Sequence, residues 1–236
     1  MTARTSTGPS GTARRLRRYT SGAALILFPA LLVPEAVIDP TGNGSGEDMF
    51  TAATEHGGPL VASAVLLLVS GVLMAPAAAG VLHQARDRGA GLANVGAVFA
   101  ALGGFGHAGI AFFYILGSEL AGGDRGEMVA YIDRLNASPV LGFVAFPLIV
   151  CFALGVLILP WAAWRAGAVH WWAPAVGTVA VLVEEGLPFR SDTVTIVILG
   201  AVTVVFGYIG LRVLRMTDAE WDGVRAPAPI EAPVPA

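Results

Sequence analysis

Two adjacent glutamates, Glu184 and Glu185, follow an apolar run in the stretch VAVLVEEGLPFRSD, which covers residues 179–192. Carboxylates inside a membrane are costly, so they usually have a partner or mark a functional site. A partly desolvated carboxyl group can stay protonated and act as a general acid. Because adjacent residues on a helix point about 100° apart, we expect at most one of the two glutamates to face the inside of a helix bundle.

Three further polar residues lie at a similar depth in other apolar segments. His107 and Tyr114 are seven residues apart, on one face of a helix, and Glu35 lies one turn from the end of the first apolar segment. These segments are expected to run in the same direction, so their polar residues can converge on one pocket. The predicted catalytic residues are Glu35, His107, Tyr114, Glu184 and Glu185. The predicted substrate-binding residues are Phe112, Phe113 and Phe189.

Structural explanations remain open for the same residues. A glutamate one turn from a helix end can extend its carboxylate to water and have no chemical role. A single histidine in a membrane helix often makes an interhelical hydrogen bond. Arg190 lies close enough in sequence to pair with Glu184 or Glu185 and neutralise it.

The composition explains why burial matters for these residues. Of 236 residues, 55% are hydrophobic and only 13% are charged, compared with about 25% charged in a soluble domain. Several apolar runs approach the roughly 20 residues that a membrane-spanning helix needs. We therefore predict an all-α polytopic membrane protein. The single cysteine, Cys151, excludes an intrachain disulfide.

The predicted architecture is a bundle of six transmembrane helices. A disordered, Arg-rich leader at 1–19 precedes the membrane domain at 20–215, and a disordered Pro/Ala-rich tail at 216–236 follows it. Two short helices are predicted in the outer loops, where Ser45 and Asp124 are suited to cap acidic first turns. The spans are expected at about 20–38, 59–82, 91–116, 139–164, 171–187 and 193–214.

Charge asymmetry predicts the orientation. All 14 basic residues are arginines, and the predicted spans leave only three of them, Arg125, Arg134 and Arg190, on one side of the membrane. The side that is rich in arginine is normally cytoplasmic, so both termini are expected in the cytoplasm. Most of the 17 acidic residues fall at the outer ends of the spans, which gives the outer side a negative field. Asp192 is expected to cap the sixth span after a tight hairpin.

The third span carries small residues around His107. They let neighbouring helices approach closely, or they leave room for a ligand beside the histidine. These residues are Gly103, Gly104, Gly106 and Gly109.

Motifs of familiar enzyme classes are missing from the sequence, which contains no H-E-x-x-H, Walker A, G-x-S-x-G or CxxC pattern. The four histidines do not form a di-haem pattern, because only His107 lies deep in a span. We therefore expect no metal, no cofactor and no nucleic-acid partner.

Three classes of function are compatible with these residues. The favoured class is an intramembrane enzyme that uses acid/base carboxylates on an apolar lipid or isoprenoid substrate, with His107 and Tyr114 as polarising or relay groups. One alternative is a small transporter or channel for a cationic or apolar solute, working as a homodimer. The other alternative is a non-catalytic membrane partner subunit.

Two resemblances accompany this interpretation. In its use of membrane-embedded acids, the chain resembles small helical-bundle membrane terpene cyclases, which protonate their substrates with acidic residues. In its Arg-rich start, short inner loops and polar outer loop with a helix, it resembles uncharacterised six-span integral membrane proteins of actinobacteria. The second resemblance implies a multi-pass protein of the bacterial inner membrane.

Overall fold

The computed structural model describes residues 11–42, 44–186 and 191–222, and the regular elements in these ranges are helical. A short 3-10 turn at Leu120–Gly122 separates the fourth and fifth helices. The helices are α1 Gly11–Ile38, α2 Gly46–Glu55, α3 Gly57–Gln84, α4 Ala90–Glu119, α5 Arg125–Asn136, α6 Pro139–Arg165, α7 Trp172–Gly186, α8 Asp192–Arg215 and α9 Asp218–Asp222.

Five helices are long and apolar enough to cross a membrane, which indicates a multi-pass membrane protein. They are α1, α3, α4, α6 and α8, with 24 to 30 residues each. At about 1.5 Å per residue, each exceeds the roughly 30 Å of a bilayer's hydrocarbon core. The fifth predicted span is instead α7, a 15-residue helix about 22 Å long. Five of the six predicted spans are therefore confirmed as helices of spanning length.

The predictions for the two terminal segments need correction. Helix α1 begins at Gly11, so residues 11–19 of the leader are helical rather than disordered. The tail includes α9, whose Trp221 is buried. The helical residues 11–19 and helix α9 contact each other, because arginines of α1 pair with carboxylates of α9. The rest of the leader and tail lies outside the described residues.

The long helices pack as a ring in which most neighbours in sequence are also neighbours in space. Helix α1 contacts α3 and α8, α4 contacts α3 and α6, and α7 packs between α6 and α8. The α1–α8 contact closes the ring through Phe28 and Phe206, whose rings meet edge to face with centroids 4.8 Å apart. The apolar core therefore lies along the α1–α8 seam and continues to α3, α4 and α6.

One end of the ring, the arginine end, contains the start of α1, the α3–α4 and α6–α7 loops, the end of α8, and α9. Arg14 and Arg15 of α1 pair with Asp222 and Asp218 of α9 at 2.6 and 2.9 Å. The Nε of Arg212 donates to a carbonyl of the α6–α7 loop at 3.3 Å. These contacts place the first and last described elements at the same end.

The opposite end, the cap end, carries α2 and α5, which pack on each other. The backbone N–H of Gly46 donates to Asp133 at 2.8 Å and ties the two helices together. The predicted N-caps are confirmed, since Ser45 accepts from the N–H of Asp48 and Asp124 accepts from the N–H of Glu127. The predicted cap of the last span was wrong by one residue: Ser191 caps α8, because its hydroxyl accepts the N–H of Val194.

Glycines let the helices approach to backbone contact. A Cβ added at Gly104 would lie 2.6 Å from the Gly71 carbonyl oxygen, and one at Gly71 would lie 2.6 Å from the Gly104 carbonyl oxygen. Gly103 meets the backbone of Phe152 on α6 in the same way. The predicted small-residue surface of α4 is therefore a packing surface at these positions. A Cβ added at Gly109, in contrast, would meet no atom of another helix within 4 Å.

Replacing Gly104 with alanine is expected to lower the free energy of unfolding by about 1–3 kcal/mol, because the methyl group has no room beside α3. The matched control, Gly109→Ala on the same helix, should leave stability unchanged or slightly raised, since alanine favours helix. Thermal unfolding of the two purified variants in one detergent measures the difference. Equal melting temperatures would contradict the α3–α4 contact.

Removing both α9 carboxylates, Asp218→Asn with Asp222→Asn, is expected to release α9 from α1. Hydrogen exchange of residues 216–222, followed by mass spectrometry, should become several-fold faster. Asp87→Asn is the control, because the Asp87 side chain is 84% exposed and lies 3.9 Å from Arg86.

The docking of α9 is also expected to depend on pH. The hydrogen bond from Arg15 holds the pKa of Asp218 below its usual value. The ion pair therefore favours docking above about pH 4 and is lost as the pH falls through the lowered pKa. Protection of α9 that stays the same in acid would show that the ion pairs do not hold it.

Candidate functional site

The predicted catalytic residues occupy two separate places. Glu35 and Tyr114 lie together beneath the cap end, whereas His107 contacts the ring of Phe152 and Glu184 lines a cavity that Phe152 also lines. His107 and Tyr114 are seven residues apart on α4, so about 10 Å of helix separates them. The side chain of Glu185, together with Phe189, Arg190 and the predicted hairpin, falls outside the described residues.

Beneath the cap end, Tyr114 joins a hydrogen-bonded group around Asp39. The Tyr114 hydroxyl donates to Asp39 Oδ2 at 3.1 Å, and the Thr41 hydroxyl donates to the same oxygen at 3.0 Å. The two hydroxyl oxygens are 3.2 Å apart, and the Thr41 N–H donates to Asp39 Oδ1 at 3.0 Å. Both oxygens of this carboxyl group are therefore occupied, and α4 is tied to the loop after α1.

Glu35 lies one helical turn before Asp39 and is buried, with 9% of its surface exposed. Its carboxyl group lies within electrostatic range of Asp39 and Tyr114, so the three groups share one environment. Within the described part of the chain, no hydrogen bond or ion pair reaches the Glu35 side chain. The prediction that Glu35 and Tyr114 lie near each other thus agrees with their positions, and Glu35 does not extend freely into water.

Asp39 and Thr41 were not predicted as site residues. A usable signal was present, because Glu35 and Asp39 are four residues apart and share a helix face. The sequence Asp-Pro-Thr that follows is typical of a turn in which the aspartate binds the backbone two residues on. Thr41 N–H makes that bond.

Phe112 and Phe113, which are predicted to bind substrate, lie in different surroundings. Phe113 packs with Tyr114 against the apolar cluster beneath the cap helices. That cluster includes Met49 of α2 and Ile132 of α5, both buried. Phe112 is 58% exposed, on a part of α4 that other helices leave uncovered. Neither ring borders the cavity that contains Glu184.

His107 packs against α6 near the middle of α4. Its ring meets Phe152 edge to face, with centroids 4.4 Å apart. Its Nδ1 is buried and has no hydrogen-bond partner in the described residues. Gly71 of α3 lies against the other side, because a Cβ there would be 3.1 Å from the His107 Cβ. Close packing, rather than a ligand beside these glycines, explains this part of α4.

Glu184 borders a cavity of about 150 Å³ between α6, α7 and α8. Apart from this glutamate, the described residues that line the cavity are all apolar. They are Ile149, Phe152, Ala153, Val156, Val181, Ile198, Leu199 and Val202. A single carboxyl group at the edge of a hydrocarbon-lined space can orient a ligand or exchange a proton with it.

Metal ligation finds no support in the described residues, because no three His, Cys, Asp or Glu side chains there are grouped to hold an ion.

These features define the class of protein: an all-helical multi-pass membrane protein with a buried carboxyl group, Glu35, beneath the cap end and a half-buried one, Glu184, beside an apolar cavity. Comparison with known proteins adds no assignment, because no family model, curated protein or solved structure matches the chain.

Replacing Tyr114 with phenylalanine is expected to cost about 1–3 kcal/mol of unfolding free energy, because it removes the hydroxyl that donates to Asp39. Tyr131→Phe is the control, since Tyr131 lies exposed on α5. Thermal unfolding of both variants measures the effect. A loss no larger than that of the control would show that the hydroxyl group does not hold α4 to the α1–α2 loop.

Proposed function

We propose that this protein is a six-span membrane enzyme that acts on an apolar lipid or isoprenoid substrate, with Glu184 as the acid/base group. The observation that carries the proposal is the position of Glu184 at the edge of an otherwise apolar cavity. In the proposed reaction, the Glu184 carboxyl group gives a proton to one carbon of the substrate. The resulting carboxylate then takes a proton from another carbon, so the substrate is rearranged without a net change in protons.

The surroundings of the cavity favour a hydrocarbon ligand. The cavity has the volume of about five molecules of liquid water. This volume suits a short segment of an apolar chain. A second apolar cavity of about 370 Å³ lies along α7 and α8 and shares Ile198 with the first. Both lie on helices whose outer faces are apolar, so a substrate dissolved in the bilayer has a route to Glu184.

The number of crossings supports six spans. Arg14 at the start of α1 pairs with Asp222 just after α8, so the start of α1 and the end of α8 lie at one end of the bundle. An even number of crossings is then required, and the five long helices supply an odd number. We therefore assign the sixth crossing to α7. A bilayer can thin around a short helix at a modest cost.

Arginine placement supports an orientation with the arginine end in the cytoplasm. Only Arg125 and Arg134, among the described arginines, lie at the cap end. The others lie at the arginine end: Arg14, Arg15, Arg17, Arg18, Arg86, Arg88, Arg165, Arg212 and Arg215. Helix α7 runs from the arginine end toward the cap end, so Glu184 belongs to the outer half of the membrane.

The other predicted catalytic residues receive different roles in this proposal. Tyr114, with Asp39, holds the loop after α1 against α4 and keeps the cap helices in place. His107 supports the Phe152 ring from the side of α4 and so positions one wall of the cavity. Glu184 is the residue that contacts the substrate.

Replacing Glu184 with glutamine is expected to lower turnover by about 10²–10⁴-fold, the usual contribution of a general acid. Wild-type protein and variants would be reconstituted in vesicles of bacterial polar lipids that contain squalene and geranylgeraniol. Products would be detected by mass spectrometry. Glu119→Gln is the matched control, because Glu119 is an exposed carboxylate at the end of α4.

Filling the cavity gives an independent test of the same site. Ala153→Trp places a large ring inside the cavity and should abolish turnover, whereas Val140→Trp on the exposed part of α6 should not. Full activity in both Glu184→Gln and Ala153→Trp would overturn the proposal.

A further inference from the structure

Another cavity lies at the arginine end, far from Glu184 along the helices. Its volume is about 210 Å³. It is bordered by the end of α3, the α6–α7 loop, the end of α8, and α9. The side chains that matter for its chemistry are His83, Gln84, Arg86, Arg212 and Trp221.

Gln84 is one of the residues that line this cavity, and its buried amide group lacks hydrogen bonds within the described part of the chain. Both its Nε2 and its Oε1 are buried, and neither has a partner in the described residues. Buried polar groups are normally satisfied, so an unsatisfied amide that borders a cavity calls for a polar ligand. Such a ligand needs an acceptor for the amide N–H groups and a donor for the amide oxygen.

Two arginines bring unused donors to the same cavity. Arg212 uses its Nε to bind the Ala168 carbonyl, at 3.3 Å, and its terminal N–H groups have no hydrogen-bond partner within the described ranges. Arg86 Nη1 donates to the Trp221 carbonyl at 3.0 Å and lies 2.6 Å from His83 Nε2, and its Nε lies 3.9 Å from Asp87. A guanidinium group carries five N–H donors, so Nη2 of Arg86 and the terminal N–H groups of Arg212 are left for a ligand.

Two carboxylates, Asp87 and Glu220, also border the cavity, each close to one of the arginines. The side chain of Asp87 is 84% exposed and lies 3.9 Å from Arg86. Glu220 Oε2 accepts from the N–H and the hydroxyl of Thr217, at 2.7 and 2.9 Å, and its charge interacts with that of Arg212. The cavity therefore offers a ligand two guanidinium groups, each with one carboxylate nearby.

We propose that this cavity binds an anionic phosphate ester, with Arg86 and Arg212 on its phosphate oxygens and the Gln84 amide on its remaining polar groups. Guanidinium groups match the paired oxygens of phosphate, which is why arginine is common in phosphate sites. The ligand is either the headgroup of an anionic phospholipid or a soluble phosphate ester. The site does not involve Glu184 and stands independently of the proposed enzyme activity.

The cavity is placed well for a headgroup. It lies at the ends of two long helices, α3 and α8, where lipid headgroups meet the protein. Basic pockets between membrane helices on the cytoplasmic side are suited to such headgroups. One wall is Trp221, whose ring stacks on His83 with centroids 4.0 Å apart. A bound phosphate would therefore hold α9 in place as well as fill the cavity.

The test compares the full-length wild-type chain with two matched double variants. Arg86→Gln with Arg212→Gln removes the cavity arginines, and Arg88→Gln with Arg215→Gln removes the same charge from exposed residues at the same end. The probes are phosphatidylglycerol, phosphatidylcholine with the same acyl chains, and glycerol 3-phosphate. Native mass spectrometry and thermal unfolding in one detergent measure the binding of each probe.

Phosphatidylglycerol is expected to bind the first double variant at least tenfold more weakly than it binds the wild type, and to bind the second double variant normally. Binding of glycerol 3-phosphate alone would identify a soluble ligand, whereas preference for phosphatidylglycerol over phosphatidylcholine would identify a headgroup; either result supports the site. Equal weakening in both double variants, or no binding of any probe to the wild type, would overturn it.

Gln84→Leu provides a variant that keeps all charges and is expected to fold well. Replacing an unsatisfied amide with an apolar group of similar size should raise the melting temperature without ligand. The same change should weaken phosphatidylglycerol binding and the hydrogen-exchange protection that the lipid gives to α9. A lower melting temperature with unchanged lipid binding would show that Gln84 faces no ligand.

Discussion

Backbone contact between glycines is the constraint on which this bundle depends. Lipid is as apolar as the side chains of these helices, so burial alone does not hold them together, and close van der Waals packing must do so. Gly71 and Gly104 join α3 to α4, and Gly22 and Gly210 join α1 to α8. Around α7 the packing is looser, since Gly177 meets only side-chain atoms, at 3.7 Å or more. The cavity beside Glu184 lies on this looser side.

The same packing explains why the polar groups within the membrane helices form two separate centres. Asp39, Tyr114 and Glu35 lie where α1 and α4 emerge beneath the cap helices, and the hydrogen bonds of Asp39 with Tyr114 and Thr41 secure the loop between α1 and α2. Glu184 lies across the bundle, on α7, with Phe152 between it and α4. One centre therefore organises the cap, and the other meets the apolar cavity from which we infer a lipid-like substrate.

The sequence was enough to predict the helical class, five of the six predicted spans and the caps at Ser45 and Asp124, because hydrophobic runs and capping residues are local signals. It did not predict α9, since a five-residue helix becomes stable only through contacts made by the opposite terminus. The convergence of five polar residues on one pocket could not be tested by periodicity, which gives the face and depth of a residue but not which helices are neighbours. The order of the helices in the ring determines this for His107 and Glu184: His107 on α4 contacts Phe152 of α6, and Glu184 on α7 lines the cavity on the other side of α6.

Photo-crosslinking of the reconstituted full-length protein with a diazirine-bearing geranylgeraniol tests the account most directly. If an apolar substrate enters beside Glu184, the label should concentrate on the peptides of α6 and α8 that contain Phe152, Ile198 and Val202, and Ala153→Trp should remove it. Label spread evenly over exposed apolar residues such as Phe143 and Phe146, with no effect of Ala153→Trp, would contradict a substrate cavity at Glu184.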